Sequence, residues 1–233
     1  MNKAKELQNQ PQFDNYRKCP VALGPYTSHI WRDDPKHLCF LLARYKFCSK
    51  LLAGKKKVLE VGCGDAFATP VVAQVVESVH CIDFEPLLYE DNRKRLKSFS
   101  NITFAVHDIT EKPLNEKFDA AFSLDVLEHI KPEDEHKFFE NICKSLRQHG
   151  ILIVGTPNIT AEQYASKYSG IGHINLKDWK DLQKLLSEYF QNGFLFSMND
   201  EVVHTGYYPM AHYLFALGTG PKTKSRAGIL NSQ

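Results

Sequence analysis

The residues best suited to bind a ligand stand in one short stretch, VLEVGCGDA, from Val58 to Ala66. Its apolar start has no helical spacing and predicts a buried strand, and Gly62 and Gly64 directly after it permit a tight turn. The next segment, Ala66 to Glu77, is apolar enough to predict a helix. A strand, a glycine turn and a helix in this order predict a nucleotide-type pocket, because backbone N–H groups at the start of the helix face the ligand.

Acidic residues stand at the ends of the next two apolar runs. Asp83 lies near the end of VHCIDF, and Asp108 ends NITFAVHD. Asp83 follows the glycines by roughly 20 residues, the distance at which an acid at the end of a second strand can accept hydrogen bonds from ribose hydroxyls. A ligand that carries a ribose therefore fits this spacing.

Strands alternating with helices must position these residues. The predicted helices are 34–52, 66–77, 86–99, 132–147 and 176–190, and the predicted strands are 58–61, 79–84, 101–108, 118–125, 150–158, 193–197 and 213–217, with a loop over 198–212. We expect Asp34 to cap the first helix, with Pro35 in its first turn, and Gly54 to end it. The alternation predicts an α/β fold with a parallel sheet covered on both faces.

The chain divides into three predicted parts, which are an N-terminal lid or arm over 1–34, one domain over 35–218 and a flexible tail over 219–233. Residues 1–20 are polar and are expected to be irregular. Gly24 to Trp31 mixes turn residues with two large aromatics, and its place just before the pocket suits a lid.

Composition limits the classes of protein. The chain has 233 residues and 43% hydrophobic content, enough for one well-buried domain. Its 29 basic and 27 acidic residues give a net charge of +2, which gives no reason to expect nucleic acid as a partner. No apolar run approaches the roughly 18 residues that span a bilayer, and the N-terminus has no apolar signal core. We therefore expect a soluble, cytoplasmic protein with no membrane partner.

The six cysteines are scattered, with no Cys-x-x-Cys pair, at Cys19, Cys39, Cys48, Cys63, Cys81 and Cys143. Several lie within apolar segments, where cysteine behaves as a small hydrophobic residue. We expect reduced thiols, without a disulfide framework or a zinc site.

Four motifs together resemble the class I S-adenosylmethionine-dependent methyltransferases. They are VLEVGCGDA, the strand-end Asp83, the pair His107 and Asp108, and FDAAFSLDVLEHI over 118–130. The resemblance covers residues 58–156 by motif and extends to residue 218 by the rhythm of strands and helices. Phe67 stands where a dinucleotide-binding fingerprint has its third glycine, which disfavours NAD. The family implies a doubly wound, mostly parallel seven-stranded sheet, Rossmann-like, with an N-terminal helical lid.

The resemblance implies S-adenosyl-L-methionine as the cofactor, and it assigns residues to each part of that molecule. Glu60, Gly62, Cys63 and Gly64 would form the floor under the methionine part, and Arg44 would hold its carboxylate. Asp83 would bind the ribose hydroxyls, Phe84 would pack on the adenine, and Asp108, with Ile109 beside it, would accept from the adenine amino group. Ser123, Leu124, Asp125 and Val126 would line the sulfonium and the transfer site.

Acceptor binding is implied for two segments, the lid at 26–31 and the insertion at 158–175. Their hydroxyl, amide and aromatic groups suit a polar, hydroxylated small molecule. The residues expected to bind it are Tyr26, His29, Trp31, Asn158, Tyr164, Tyr168 and Asn175. His173, in the segment GIGHINL, would act as the catalytic base where the acceptor must lose a proton.

The segments TPN and HIN, at 156–158 and 173–175, resemble small-molecule methyltransferases of bacterial glycan, capsule or O-antigen pathways. They imply O-methylation of a sugar, a sugar nucleotide or a phosphorylated or phosphoramidate capsule precursor by a monomer or homodimer. No metal ligand is assigned. One alternative is a quinone or secondary-metabolite O-methyltransferase whose divalent metal is held by Asp125, Glu128 and His129. The others are an RNA methyltransferase, which the near-neutral charge disfavours, and a regulatory cofactor-binding domain without catalysis.

Overall fold

The computed structural model describes residues 3–165, 170 and 172–222. Its helices are α1 (Gln10–Lys18), α2 (Pro25–Asp33), α3 (His37–Leu52), α4 (Thr69–Ala73), α5 (Pro86–Arg95), α6 (Glu135–Ser145) and α7 (Trp179–Tyr189). Its strands are β1 (Lys57–Val61), β2 (Ser78–Asp83), β3 (Ile102–Val106), β4 (Phe118–Leu124), β5 (Leu146–Pro157), β6 (Phe190–Asn199), β7 (Val202–His204) and β8 (Tyr213–Pro221). Single 3-10 turns lie at Leu7–Asn9, Leu127–His129, Pro132–Asp134, Ile159–Tyr164 and Tyr208–Met210.

These strands form one sheet in the order β3, β2, β1, β4, β5, β8, β6, β7. The first five are parallel to their neighbours, whereas β8 runs antiparallel to β5 and β6, and β7 pairs antiparallel with β6. The predicted doubly wound, mostly parallel sheet is confirmed, with eight strands in the described part of the chain in place of seven. We missed β7 because three residues are too few for a strand pattern to be recognised.

The chain changes its winding direction at β1. It passes outward from β1 through β2 to β3, and it returns to β4 on the other side of β1. In open α/β sheets, ligands bind at such a switch point, outside the carboxyl ends of the strands. Val61, Asp83 and Leu124 end β1, β2 and β4 at this edge. The topology therefore brings together the ends of the three strands that carry the predicted ligand residues.

The central strand β1 is buried on both faces of the sheet. Val58 packs in a layer with Tyr45 and Phe215, whereas Leu59 packs in the opposite layer with Phe138, because successive side chains of a strand point to opposite faces. Helices cover both faces, so apolar residues are favoured at consecutive positions. This explains the uninterrupted apolar run from which the strand was predicted.

Helix α1 lies within residues 1–20, which the sequence predicts as irregular, whereas α2 overlaps the segment for which a helical lid is expected. Phe13 and Tyr16 are the two aromatic residues of α1, and no residue of α1 is buried, so α1 carries too few apolar residues for a helix to be predicted. α2 covers residues that include many turn formers, and Asp34 ends it by donating its N–H to Ile30 O at 2.9 Å. Asp34 therefore does not cap α3, which begins at His37 after Lys36.

The helix predicted over 66–77 is five residues long. Ala66 has a φ of 51°, a left-handed conformation that cannot belong to a right-handed helix. Pro70 stands in the first turn of α4, where its fixed φ is tolerated. The β-branched residues that follow are weak helix formers, and Val75 N bonds to Val72 O in a tight final turn.

Other boundaries differ from the prediction by a few residues. α6 begins at Glu135, and β5 begins at Leu146 directly after it. β8 continues to Pro221, into the segment predicted as a tail, and residues 223–233 of that segment lie outside the described residues. None of the helices in the described part of the chain combines the length and the apolar character needed to cross a membrane.

Candidate active site

The carboxyl ends of β1, β2 and β4 surround a cavity of about 700 Å³, here called the first cavity. The glycine turn forms one wall, with Gly62 at a φ of 71° and Gly64 at 52°. A Cβ on Gly62 would lie 2.4 Å from Val126 Cγ2, so the turn needs glycine where it meets the end of β4. Gly64 N donates to Asp83 Oδ2 at 2.8 Å. This bond joins the turn to the end of β2.

Side chains expected beside the adenine lie on one side of this cavity. Asp108 Oδ1 accepts from the N–H and the hydroxyl of Thr110, at 2.8 and 2.7 Å. Ile109 is buried, whereas Phe84 is 71% exposed at the cavity edge. Predicted cofactor and catalytic residues that line the first cavity are Arg44, Gly62, Cys63, Gly64, Asp83, Phe84, Asp108, Ile109, Leu124, Asp125 and His173.

Two residues predicted beside the cofactor lie behind the cavity wall. Glu60 is buried and accepts from Tyr45 Oη at 2.6 Å and Thr69 Oγ1 at 2.7 Å. Burial raises the pKa of Glu60 to about 7, although these hydrogen bonds oppose the rise. Ser123 is buried as well and donates to Val61 O at 3.0 Å. Neither of these two side chains lines the cavity. The prediction that they border the cofactor is therefore corrected, since both side chains support the ends of the strands.

A partly buried ion pair lies at the β4 end of the first cavity. Arg44 Nη1 donates to both carboxylate oxygens of Asp125, at 2.8 and 2.7 Å, and the guanidinium carbon lies 3.9 Å from the ring centre of Tyr213. Burial is the largest single effect and lowers the pKa of Arg44, but Asp125, Tyr213 and Glu128 together outweigh it, so the pKa is raised. Arg44 Nε has no hydrogen-bond partner in the described part of the chain. A buried guanidinium with an unused donor is suited to bind a carboxylate.

Helix α2 covers the first cavity. The ring of Tyr26 packs on Gly64, where an added Cβ would lie 3.3 Å from Tyr26 Cδ2. Burial raises the pKa of Tyr26, and the nearby carboxylates of Asp83, Glu85 and Asp65 raise it further. Tyr26 lines the first cavity, so it lies on the predicted cofactor side instead of the predicted acceptor side.

A second cavity of about 740 Å³ adjoins the first and is lined by α2, α3 and the segment after β5. Lining residues that the two cavities share are Ile30, His37, Arg44, Pro157 and His173. His29 and Tyr164 line the second cavity, as predicted for acceptor-binding residues. The two cavities therefore meet beside the Arg44–Asp125 ion pair.

The other predicted acceptor residues have different surroundings. Asn158 lines the second cavity, but its amide nitrogen donates to two backbone carbonyl oxygens at 2.9 and 2.8 Å. Asn175 is buried and donates to Glu135 Oε2 at 2.9 Å, and Trp31 is 59% exposed. Asn175 and Trp31 line neither cavity among the described residues. Tyr168 lies outside the described residues.

Glu128, His129 and His173 come together near the junction of the cavities. Their possible metal-binding atoms lie within 4.8 Å of one another, and the rings of His129 and His173 are 5.3 Å apart between centroids. His129 Nδ1 lies 2.7 Å from Gly172 O, so this nitrogen carries the proton. Burial, followed by His129, lowers the pKa of His173. A neutral His173 imidazole is therefore favoured near pH 7.

Glu128 leaves one carboxylate oxygen available in this cluster. Its Oε2 accepts from Thr156 Oγ1 at 3.1 Å, whereas Oε1 has no hydrogen-bond partner within the described residues. Burial, followed by repulsion from Asp125, raises the pKa of Glu128 to about 8. One carboxylate and two imidazoles are a donor set that suits a divalent first-row transition metal better than Mg²⁺, which prefers oxygen ligands. The unpartnered oxygen fits such a role.

Sequence reasoning missed residues that reach the site from elements without a motif. His37 and Tyr213 line the cavities from α3 and β8, and His212 lines the second cavity while its Nε2 accepts from Asp200 N at 2.6 Å. These positions are distant in the chain from the glycine motif, so spacing gives no signal for them. Asp65 belongs to VLEVGCGDA, but its acidic side chain was not assigned a role.

Residues 59–154 match a family model described as a methyltransferase domain. A probable S-adenosylmethionine-dependent methyltransferase of Mycobacterium tuberculosis is 28% identical over 104 residues. The match covers 44% of this chain and 36% of that relative. The chain therefore spans well under two thirds of the length of this curated relative.

Solved structures share the fold. The N-methyltransferase NodS from Bradyrhizobium japonicum, in complex with S-adenosylhomocysteine, is 20% identical with a TM-score of 0.59, over 82% of this chain and 91% of that one. The methyltransferase domain of bacterial CtHen1 is 17% identical with a TM-score of 0.65, over 77% and 98% of the two chains. At these identities the likeness establishes the fold alone.

The matches confirm the class of domain. Residues 59–154 match a methyltransferase-domain model, the fold is that of the class I methyltransferases, and the expected cofactor, S-adenosylmethionine, is confirmed. The prediction of an enzyme of this class is thereby confirmed at the level of the domain. The similarity to glycan and capsule enzymes stays a prediction.

Proposed function

We propose that this protein transfers the methyl group of S-adenosylmethionine to a polar small molecule, with the cofactor in the first cavity and the acceptor in the second. The observation that carries the proposal is that the two cavities share Arg44 and His173 in their walls. Methyl transfer is a direct displacement, so sulfur, methyl carbon and acceptor atom must lie in one line. Adjoining cavities supply such a path, and bound cofactor and acceptor would displace water from it.

The cofactor roles follow from the chemistry of the first cavity. Asp83 suits the ribose hydroxyls, Asp108 suits the adenine amino group, and Arg44, which lines the cavity, suits the methionine carboxylate. Leu124 and Asp125 border the methyl group at the end of β4. Glu60 is assigned no contact with the cofactor, since it is buried and does not line the first cavity.

The acceptor is inferred to be methylated on oxygen, because imidazole, hydroxyl and carboxylate groups of the second cavity suit a hydroxylated molecule. Charged residues among its described lining are Asp33, Asp34, Glu162 and Asp200 against Lys36 and Arg44. Arg44 is already bound to Asp125, so the wall favours neutral or cationic molecules over phosphorylated ones. A neutral sugar therefore ranks first, and sugar nucleotides or phosphorylated capsule precursors rank after it.

His173 is proposed as the base for an oxygen acceptor. A hydroxyl group loses its proton on methylation, and the lowered pKa of His173 keeps the imidazole able to accept that proton. Replacing His173 with alanine should lower the turnover of an oxygen acceptor by roughly 10²- to 10⁴-fold, with little change in cofactor affinity. Methylation retained at the wild-type rate would remove His173 from this role.

Metal-assisted transfer is the second candidate, and the approach of Glu128, His129 and His173 favours it. The three side chains would hold the metal, and the metal would lower the pKa of a bound acceptor hydroxyl. Asp125, predicted as a ligand, is bound to Arg44 in this structure, so His173 takes its place. If a chelator abolishes activity and Mn²⁺ or Zn²⁺ restores it, metal-assisted transfer is supported, and His173 is a metal ligand and not the base.

A methyl-transfer screen with labelled S-adenosylmethionine tests the proposed function. Neutral sugars, sugar nucleotides, phosphorylated metabolites, quinols and amines form the panel, and amines are included because the similar structure of NodS is that of an N-methyltransferase. We expect label in a neutral hydroxylated acceptor, and loss of label with Asp83→Asn. Label confined to amines would overturn the oxygen assignment while leaving the two-cavity arrangement intact.

A further inference from the structure

The carboxylate of Asp65 joins the glycine turn to helix α2. Asp65 Oδ2 accepts from Thr27 N at 2.7 Å, and Oδ1 accepts from Thr27 Oγ1 at 3.0 Å. Both residues are buried, with Asp65 6% and Thr27 1% exposed. The bonds connect positions that are 38 residues apart. Helix α2 is therefore attached to the same turn that lines the first cavity.

Asp65 caps a helix that has no cap of its own. Gly24 precedes α2, and no side chain at that position bonds to the first N–H groups. Those groups lack partners within the helix and carry partial positive charge, so a carboxylate is favourable there. A Cβ on Gly24 would lie 2.4 Å from Asp65 Cβ. Glycine at this position lets the start of the helix approach the carboxylate closely.

Thr27 is the principal anchor of α2. Among the nine residues of α2, all of which the structure describes, only Thr27 is buried. Tyr26 and Ile30 line the first cavity but stay partly exposed. Because α2 buries little apolar surface, its two bonds to Asp65 largely determine whether it stays over the cavity.

The turn itself is held from the other side by α5. Asn92 Nδ2 donates to Gly64 O at 2.8 Å, and Arg95 Nη2 donates to the backbone oxygen of Asp65 at 2.5 Å. The backbone of Asp65 is therefore fixed to the body of the domain. If the bonds between Asp65 and Thr27 break, α2 is the part that moves.

We propose that Asp65 and Thr27 form a latch that keeps α2 closed over the bound cofactor, and that opening of this latch limits release of the demethylated cofactor. The inference rests on the assignment of the cofactor to the first cavity. Asp65 and Thr27 themselves line the first cavity, but both carboxylate oxygens of Asp65 are bonded to Thr27, so Asp65 acts here as a positioning residue, through the placement of Tyr26 and Ile30 of α2. The latch links departure of the cofactor to movement of a helix that also lines the second cavity.

The release rate of S-adenosylhomocysteine from the full-length protein tests the latch, measured by stopped flow. Thr27→Val removes the hydroxyl donor but keeps the side-chain shape, and Thr27→Ser keeps the donor as the matched control. The wild type must break a hydrogen bond to a charged group when the latch opens. Thr27→Val lacks this bond and should therefore release S-adenosylhomocysteine roughly tenfold faster. Thr27→Ser should release at a rate close to that of the wild type. Equal rates in Thr27→Val and the wild type would overturn the latch.

Trypsin cleavage after Arg32, within α2, supplies an independent readout. S-adenosylhomocysteine should slow this cleavage in the wild type and in Thr27→Ser, and should protect Thr27→Val much less. Thr27→Val loses a buried hydrogen bond to a carboxylate, so its thermal unfolding midpoint should fall. A merely structural role would lower this midpoint without a selective loss of protection after Arg32. An equal degree of protection in Thr27→Val would also overturn the latch.

Failure of the cofactor assignment has a different signature. Absence of S-adenosylhomocysteine binding by the wild type, or unchanged binding by Asp83→Asn, would overturn the cofactor site and the latch together. Normal binding by the wild type and weakened binding by Asp83→Asn, with Thr27→Val indistinguishable from the wild type, would overturn the latch alone.

Discussion

Two buried charged residues support the site in different ways. Glu60 is surrounded by hydroxyl and thiol donors, so burial dominates and raises its pKa to about 7. Arg44 meets a carboxylate, Asp125, that is 81 residues away in the chain. The sequence places both residues near the cofactor but carries no sign of which one has a countercharge. That distinction depends on contacts between distant elements, which spacing does not reveal.

Glu60 should make the protein less stable as the pH rises. Its pKa is raised from 4.5 to about 7 on folding, so the folded state holds the proton more tightly. The tighter binding of this proton stabilises the folded state fully below pH 4.5. This stabilisation, about 3 kcal/mol at most, is lost as the pH rises through about 7. Glu60→Gln should remove the part of the fall that Glu60 causes, measured as the free energy of unfolding in urea between pH 5 and 8.5. The part that Glu128 causes, through a pKa raised to about 8, should remain.

The control for Glu60 is Glu77→Gln, a substitution of an exposed glutamate shortly before β2. Glu77→Gln should keep the pH dependence of the wild type. If Glu60→Gln also keeps the pH dependence of the wild type, or is less stable than the wild type at pH 8.5, then burial of the Glu60 carboxylate does not govern this dependence.

The ion pair between Arg44 and Asp125 should show strong energetic coupling. Arg44→Met leaves a partly buried carboxylate, and Asp125→Asn leaves a buried guanidinium, with 30% and 11% side-chain exposure respectively. A double-mutant cycle by urea denaturation should therefore give a coupling of about 1 to 3 kcal/mol. Additive losses in the two single variants would show that the pair contributes little to stability.

At the scale of elements, the glycine turn connects β1 to the ends of β2 and β4. The turn was predicted from two glycines after an apolar strand, and the positive φ angles of Gly62 and Gly64 agree with that reading. The helix after it was predicted too long, because the left-handed Ala66 and the β-branched residues of α4 shorten it. Strands buried on both faces are well predicted from sequence, whereas short helices with one buried residue or none, such as α1 and α2, lack a pattern.

Gly62→Ala should destabilise the protein more than Gly54→Ala. Both glycines have left-handed φ angles, 71° and 79°, so each substitution should cost about 1 to 2 kcal/mol from the backbone. Only Gly62 has a neighbour, since a Cβ there would lie 2.4 Å from Val126, whereas Gly54 has nothing within 4 Å among the described residues. The contact should add about 1 to 3 kcal/mol.

The double variant Gly62→Ala/Val126→Ala separates the two effects. The stability lost to the clash with Val126 should be recovered in this variant, whereas the stability lost to the left-handed backbone should not. The remaining loss, relative to Val126→Ala, should approach that of Gly54→Ala. The free energy of unfolding in urea is the measurement, with Val126→Ala as the reference. Equal losses of stability in Gly62→Ala and Gly54→Ala would mean that an added Cβ at position 62 does not clash with Val126.

At the scale of the molecule, the sheet topology accounts for the position of both cavities. The change of winding at β1 opens the first cavity, and α2, α3 and the C-terminal strands enclose the second next to it. Most residues that the resemblance assigns to the cofactor line the first cavity, because the motifs that carry the resemblance stand at the ends of neighbouring strands. Their contacts with the cofactor stay predictions. The residues of the acceptor side were predicted less well. Trp31 and Asn175 lie outside the cavities, whereas His37, His212 and Tyr213, which had no predicted role, line them.

Binding of S-adenosylhomocysteine, measured by isothermal titration calorimetry, tests the cofactor cavity most directly. Asp83→Asn should weaken binding by roughly 10- to 100-fold, because the carboxylate that meets the ribose hydroxyls is lost. Asp119→Asn is the matched control, since Asp119 also accepts a backbone N–H, from Lys57 at 2.9 Å, at the opposite edge of the sheet. We predict wild-type affinity for Asp119→Asn. Equal affinity in the wild type and Asp83→Asn would contradict the account.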